Sequence, residues 1–136
     1  MSRLPFWAAA LWWGSLSTIG FLVVPMLFAS LPSPALAGNM AARLFAAQTW
    51  VSCACALLLL ISSRQNQALA PVHIEQEATI FIVGGMLLAL LAEFAVAPRI
   101  VARENLRLWH SVGSAMYLLQ WLCAGATFWK LTPQRS

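Results

Sequence analysis

Charge is what this chain has least of. Only 9% of its 136 residues are Asp, Glu, Lys or Arg, where soluble domains carry about 25%. Hydrophobic residues make up 61%. A domain this small buries only part of its surface on folding, so an aqueous fold would leave much of that apolar surface wet; a bilayer would not. The eight basic residues are scattered, and without a clustered cationic face there is no nucleic-acid footprint. The three cysteines, Cys53, Cys55 and Cys123, all lie in apolar runs. Their odd number argues against a disulfide framework and for small buried hydrophobes. Paired carboxylates, a nucleophile–base pair and a glycine-rich phosphate loop are all missing, which leaves an enzymatic reading without a motif.

What the chain has is long apolar sequence. Four stretches, at approximately 4–31, 39–62, 78–97 and 108–131, each approach the ~20 residues a membrane-spanning helix needs. The first is followed by Ala35-Leu36-Ala37-Gly38, which mimics a signal-peptide cleavage site. Its apolar run is nevertheless far longer than the roughly 7–15 residues of a signal core, so it reads as a retained helix interrupted in character by Pro25. Pro32-Ser33-Pro34 ends it, a polar Ser62–Glu77 loop follows the second stretch, and Pro98–Arg107 links the third to the fourth. Short links favour antiparallel neighbours. The expected fold is all-α, an integral membrane four-helix bundle running up-down-up-down, as a single transmembrane domain over 1–136 with no internal repeat.

With an even number of spans, both termini share one face with the 62–77 loop. That face carries Arg3, Arg64, Lys130 and Arg135; the other carries Arg43, Arg99, Arg103 and Arg107. The basic residues are tied, so the positive-inside rule does not decide. Were part of the second set to face the bundle, the termini would be cytoplasmic, and that orientation is the expectation.

Helix direction gathers the unusual polar residues at one end. Arg43 lies about 6 Å into the second helix at 1.5 Å per residue, Glu93 lies a similar distance before the end of the third, and His110 opens the fourth. All three fall on the membrane face of Pro25 and Arg99. Charged groups within a span are costly and are paired, hydrated or functional. A structural ion pair between Arg43 and Glu93, or an Arg43 side chain reaching the headgroups, stands beside the ligand-site reading. On the fourth helix His110, Ser114, Tyr117 and Trp121 fall at i, i+4, i+7 and i+11, one helical face, with Gly113 and Gln120 beside them. Such a stripe lines a cavity or hydrogen-bonds across helices. Cys53 and Cys123 lie at similar depth, and with His110 they are the soft-metal candidates, although Cys53-x-Cys55 points its sulfurs to different faces. Bis-histidine haem is disfavoured within one chain because His73 lies on the opposite side; a His110–Met haem with Met26, Met40 or Met116 stays open but has no motif behind it.

The order of short motifs adds a family. Gly14, Gly20, Pro25-Met26-Leu27-Phe28, Leu31-Pro32, Ala37-Gly38, Arg43-Leu44-Phe45, Pro98-Arg99 and Trp109-His110-Ser111 make the chain resemble bacterial membrane proteins grouped with eukaryotic transmembrane protein 205. The resemblance extends over roughly Leu11 to Gly125. This chain departs from that pattern on the fourth helix, with Gly113 and Tyr117 where relatives often carry Ser and Asn. The resemblance implies a four-helix protein of unassigned activity, and the eukaryotic relative's link to platinum-drug resistance points to the handling of metals or small molecules.

Together these readings give a first expectation of binding or translocation. A small molecule or metal ion would sit at a polar patch of Arg43, Glu93, Arg99, His110, Ser114 and Tyr117. The alternative is an accessory or scaffolding subunit of a larger membrane complex; as for partners, the chain is expected in a homo-oligomer or in such a complex. A haem- or quinone-linked enzyme ranks last. The expected location is the bacterial inner membrane, with the lipid bilayer as partner and no cofactor assigned.

Overall fold

A computed structural model describes residues 3–66 and 72–132. The side chains of 65–76, His73 among them, lie outside that description, as does Arg135. The described chain forms four long helices. The first, α1, runs continuously through Leu4–Thr18, Ile19–Val23 and Val24–Ser30. The second, α2, is Pro34–Asn66. The third, α3, is Val72–Leu91, Ala92–Val96 and Ala97–Val101, and α4 is Leu106–Leu131. Each packs on its neighbour in the chain and α4 closes the ring against α1, the up-down-up-down order expected from the short links.

Three segments, Leu4–Ser30, Pro34–Arg64 and Glu77–Val101, are long and apolar enough to cross a membrane. The fourth helix carries Arg107, His110, Gln120 and Lys130, yet its 26 residues extend about 39 Å at 1.5 Å per residue. The outer surface exposes Trp7, Leu11, Phe21, Leu22, Trp50, Ile61, Ile80, Phe94 and Trp129. A surface of that composition is solvated by hydrocarbon, and the protein is an integral membrane bundle.

The helices outrun their apolar stretches, and each correction has a local cause. Pro32-Ser33-Pro34 ends α1 but also begins α2. Proline suits the first turn, where its missing N–H costs nothing, and Ser33 Oγ accepts the Leu36 N–H at 3.2 Å. The stretch expected as a Ser62–Glu77 loop is helical up to Asn66 and again from Val72, since Arg and Gln favour helix as readily as apolar residues do. Pro98 does not end α3, which continues to Val101. The turn to α4 then uses left-handed backbone at Arg103 (φ 57°) and Asn105 (φ 37°).

Both internal prolines are passed in the same way. Ahead of Pro25 the Val24 N–H bonds to the Ile19 carbonyl, and ahead of Pro98 the Ala97 N–H bonds to the Ala92 carbonyl. These are i→i+5 bonds, a π-helical turn in each helix. Proline lacks an N–H and its ring crowds the carbonyl four residues back; a wider turn opens that space. The two segments share a pattern, Phe21-x-Val23-x-Pro25 and Phe94-x-Val96-x-Pro98. It is an internal correspondence in a chain whose sequence otherwise reads as free of repeats.

Packing relies on fit, because lipid gives apolar helix faces no reason to prefer each other. Trp12 and Leu16 of α1 are fully buried, among Cys55, Ala56 and Leu59 of α2, Ile82 of α3 and Ala124 of α4. Along the α1–α4 seam runs an aromatic ladder: Phe6 on Phe128 (5.3 Å between centroids), Phe128 stacked on Trp13 (5.7 Å), Trp13 on Trp121 (6.0 Å) and Trp121 against the edge of Phe21 (5.4 Å). Small residues let rings approach. A Cβ at Gly85 would stand 2.7 Å from the Trp12 ring, whereas one at Gly14 would meet nothing within 4 Å. Gly85→Ala should therefore destabilise the bundle by about 1–3 kcal/mol, the usual cost of overpacking, while Gly14→Ala leaves it unchanged. Thermal unfolding of both variants in one detergent measures the difference.

Candidate functional site

The polar face expected at the Pro25–Pro98 end is present as an outer rim. Arg43, Arg99, His110 and Ser114 are exposed and Glu93 is partly exposed. Among the described residues no hydrogen bond or ion pair joins Arg43, Glu93 and His110; the Arg99 guanidinium lies 4.7 Å over the Trp109 ring. Arg43, Arg99, Arg103 and Arg107 are all exposed, so none is withdrawn into the bundle and the premise for cytoplasmic termini is not met. On α4 the stripe divides. Tyr117 and Trp121 bond to α1, while His110 and Ser114 face outward. Cys53, Cys55 and Cys123 are free thiols, and among the described residues no group of three or more His, Cys, Asp or Glu could hold a metal ion.

The residues that do converge are neutral and lie at mid-depth. Gln48 of α2 is buried, and its Nε2 donates to Ser15 Oγ of α1 at 3.0 Å and to Ser52 Oγ, one turn on, at 3.3 Å. Gln120 of α4, also buried, donates from Nε2 to the same Ser52 Oγ at 2.9 Å. Ser15 and Ser17 each give their hydroxyl proton to their own helix, at the Trp12 and Trp13 carbonyls. That leaves the lone pairs for a neighbour, and Ser17 Oγ accepts the Trp121 Nε1–H at 2.8 Å. Three helices are thus joined through serine hydroxyls that accept from two amides and an indole.

Tyr117 completes this layer from α4. Its hydroxyl donates to the Leu16 carbonyl at 2.6 Å, and the Gly20 backbone hydrogen-bonds the same oxygen. A side chain inserted beside the backbone ladder opens a helix locally, and the π-helical turn of α1 begins three residues after Leu16, at Ile19. Gly20 is required by contact: a Cβ there would lie 2.4 Å from Tyr117 Cε1. Phe45, from the Arg43-Leu44-Phe45 motif, places its ring edge-on to Tyr117 at 5.3 Å. One turn earlier on α4, Gly113 faces Val96 and Ile100 beside the second π-helical turn.

Two buried polar atoms of this layer have no partner: Gln48 Oε1 and Trp12 Nε1. Their residues are 3% and 0% exposed. One is an acceptor and the other a donor, and buried polar groups without a bond cost about 1–3 kcal/mol each. A guest that both donates and accepts would satisfy the pair. Gln48, Ser52, Ser15 and Trp12 were not among the candidates drawn from sequence, where attention fell on charge. The available signal was the amide itself, since Gln48 and Gln120 each interrupt an apolar run at a depth where any unbonded polar group is expensive.

Comparison with known families fits this description. A family model described as a domain of unknown function, DUF4149, matches residues 7–108. The chain belongs to that family. The match takes in α1, α2, α3 and the first turn of α4, so Gln48 and Gly20 lie within it, whereas His110, Tyr117 and Gln120 lie beyond it. No curated protein and no solved structure matches the chain.

If the Tyr117 hydroxyl and Gly20 form one fitted unit, their substitutions are coupled. Tyr117→Phe should cost about 0.6 kcal/mol, the average for a cross-helix bond in a membrane protein. Gly20→Ala should be costly beside Tyr117 and much less so in a Tyr117→Ala background. A double-mutant cycle on unfolding free energies checks this, and additive effects would contradict it.

Proposed function

We propose that this protein binds a small hydrogen-bonding molecule or ion inside its bundle, at the mid-depth layer of α1, α2 and α4, in a transport- or resistance-type role. The observation that carries the reading is the pair of buried, unpartnered atoms, Gln48 Oε1 and Trp12 Nε1, on helices otherwise joined by cross-helix hydrogen bonds. Neutral oxygens and N–H groups suit a polar, uncharged guest, or a cation that accepts amide and hydroxyl oxygens as ligands. Arg43, Glu93, Arg99, His110 and Ser114 then form the polar approach from the Pro25–Pro98 face, and Tyr117 borders the site. Kinship with eukaryotic transmembrane protein 205 is supported by the order of the motifs. A bacterial inner-membrane location is supported by helical spans, since outer-membrane spans are barrels. Which side of the membrane holds the termini is open to thiol-labelling of single cysteines placed at either end.

A second reading has its own observation. On α1 the residues Ala10, Gly14 and Thr18 fall four apart, and the space above Gly14 is open. Small residues at that spacing let a second helix approach closely, as an accessory or scaffolding subunit of a larger membrane complex would require.

Native mass spectrometry of protein extracted gently from its own membranes separates the two. On the first reading the wild type retains a bound mass that Gln48→Leu loses while inserting and folding normally. A wild type with no bound mass, but with stoichiometric partner chains, would favour the second. Gln48→Leu also gives up the two bonds that Nε2 donates to Ser15 and Ser52. A loss of about 0.6 kcal/mol per cross-helix bond is therefore expected on either reading, and only the bound mass separates them.

A further inference from the structure

At the opposite end of the bundle a groove of about 410 Å³ runs between α3 and α4, lined by Glu77, Ile80, Phe81, Ala126, Trp129 and Lys130. Its volume falls within the range of about 300–1,000 Å³ typical of small-ligand sites. Its walls are apolar: Ile80 and Trp129 are 69% and 71% exposed, with Phe81 and Ala126 between them. Its charge sits at one end, where Lys130 Nζ is 2.6 Å from Glu77 Oε2 and 5.8 Å over the Phe81 ring. Lys130 lies in the last turn of α4, and Glu77 begins the apolar span of α3. The ion pair therefore marks the headgroup level, and the apolar walls run from it toward the hydrocarbon.

We propose that this groove is a binding site for one anionic phospholipid, its acyl chain along Ile80, Phe81 and Trp129 and its phosphate on the Lys130 ammonium. The complementarity is of charge as well as of polarity. A lysine at this level attracts an anionic headgroup, and the aromatic Trp129 suits the boundary between headgroup and chain. Glu77 is the competitor. Its carboxylate holds the ammonium when no phosphate is there, and a phosphate must displace it to take the same position. Glu77 thus sets how strongly the site selects anionic over zwitterionic lipid.

The reading inverts the usual effect of breaking an ion pair. In delipidated protein titrated with phosphatidylglycerol or phosphatidylcholine of matched chain length and followed by native mass spectrometry, the wild type should bind one phosphatidylglycerol in preference to phosphatidylcholine. Lys130→Gln should lower that preference roughly fivefold, the contribution of one cation near an anionic surface. Glu77→Gln should raise it. Ala126→Phe, which fills the groove without changing a charge, should remove the tightly held lipid of either kind, and glycerol phosphate, a headgroup without chains, should not compete. An unchanged preference in Lys130→Gln, or a reduced one in Glu77→Gln, would overturn the proposal. So would a shift in oligomeric state on Ala126→Phe with lipid binding intact, because the groove would then receive a second copy of the chain. Thermal unfolding of each variant separates loss of lipid from loss of fold.

Discussion

A phenol on α4 holds a backbone carbonyl of α1, and much of the bundle follows from that contact. Within hydrocarbon a backbone group released from its ladder has no water to turn to. A proline in the middle of a span therefore needs its neighbourhood arranged in advance. The Tyr117 hydroxyl, donated to Leu16, supplies a bond just ahead of the π-helical turn of α1, nine residues before Pro25. The ring can reach that depth only because residue 20 is glycine. The contact fixes α4 against α1 in register, and the aromatic ladder from Phe6 to Phe21 continues the same seam.

The mid-depth layer obeys the same economy by another route. Ser15 and Ser17 satisfy their own helix first and then offer lone pairs sideways, so a cross-helix bond there adds an interaction without breaking one. Individually such bonds contribute only about 0.6 kcal/mol. Their weight is in specificity: apolar faces slide against each other at little cost in lipid, whereas the amide N–H groups of Gln48 and Gln120 meet Ser15 and Ser52 in one register alone. Among the described residues the bonds of this layer tie α1, α2 and α4 together, while α3 enters through Gly85 and Ile82, by shape.

How much of this was legible in the sequence differs by level. The four spans and their alternation follow from apolar length and short links, which do not depend on partners. Helix ends were harder, because Pro34 and Pro98 read as breaks until their positions in a first turn and after a π-helical turn are known. The site was the least legible. Arg43, Glu93 and His110 share a membrane face as helix direction requires, but sharing a face does not bring side chains into contact. Their arrangement depends on helix rotation, and a single span's sequence specifies rotation poorly when nearly every position is apolar. Gln48 and Gln120 carry no charge and so attract less notice, yet an amide in hydrocarbon constrains rotation more strictly than an arginine that can reach the headgroups.

The shared Phe-x-Val-x-Pro segments divide the bundle into two unlike halves. Toward the termini, α1 and α4 are joined by stacked rings, and α3 and α4 by the Lys130–Glu77 pair. Toward the opposite face, α1 and α3 each carry a π-helical turn and a proline, and there the backbone has fewer bonds of its own to hold it straight. Tyr117 and Gly113, successive turns of α4, lie against these two weak points, one through a hydrogen bond and the other through close approach. A displacement of α4 along its axis would therefore reach both proline turns at once, while the aromatic ladder resists movement at the other end. The π-helical turns and prolines of α1 and α3 thus lie in the half that also carries Arg43, Glu93 and His110.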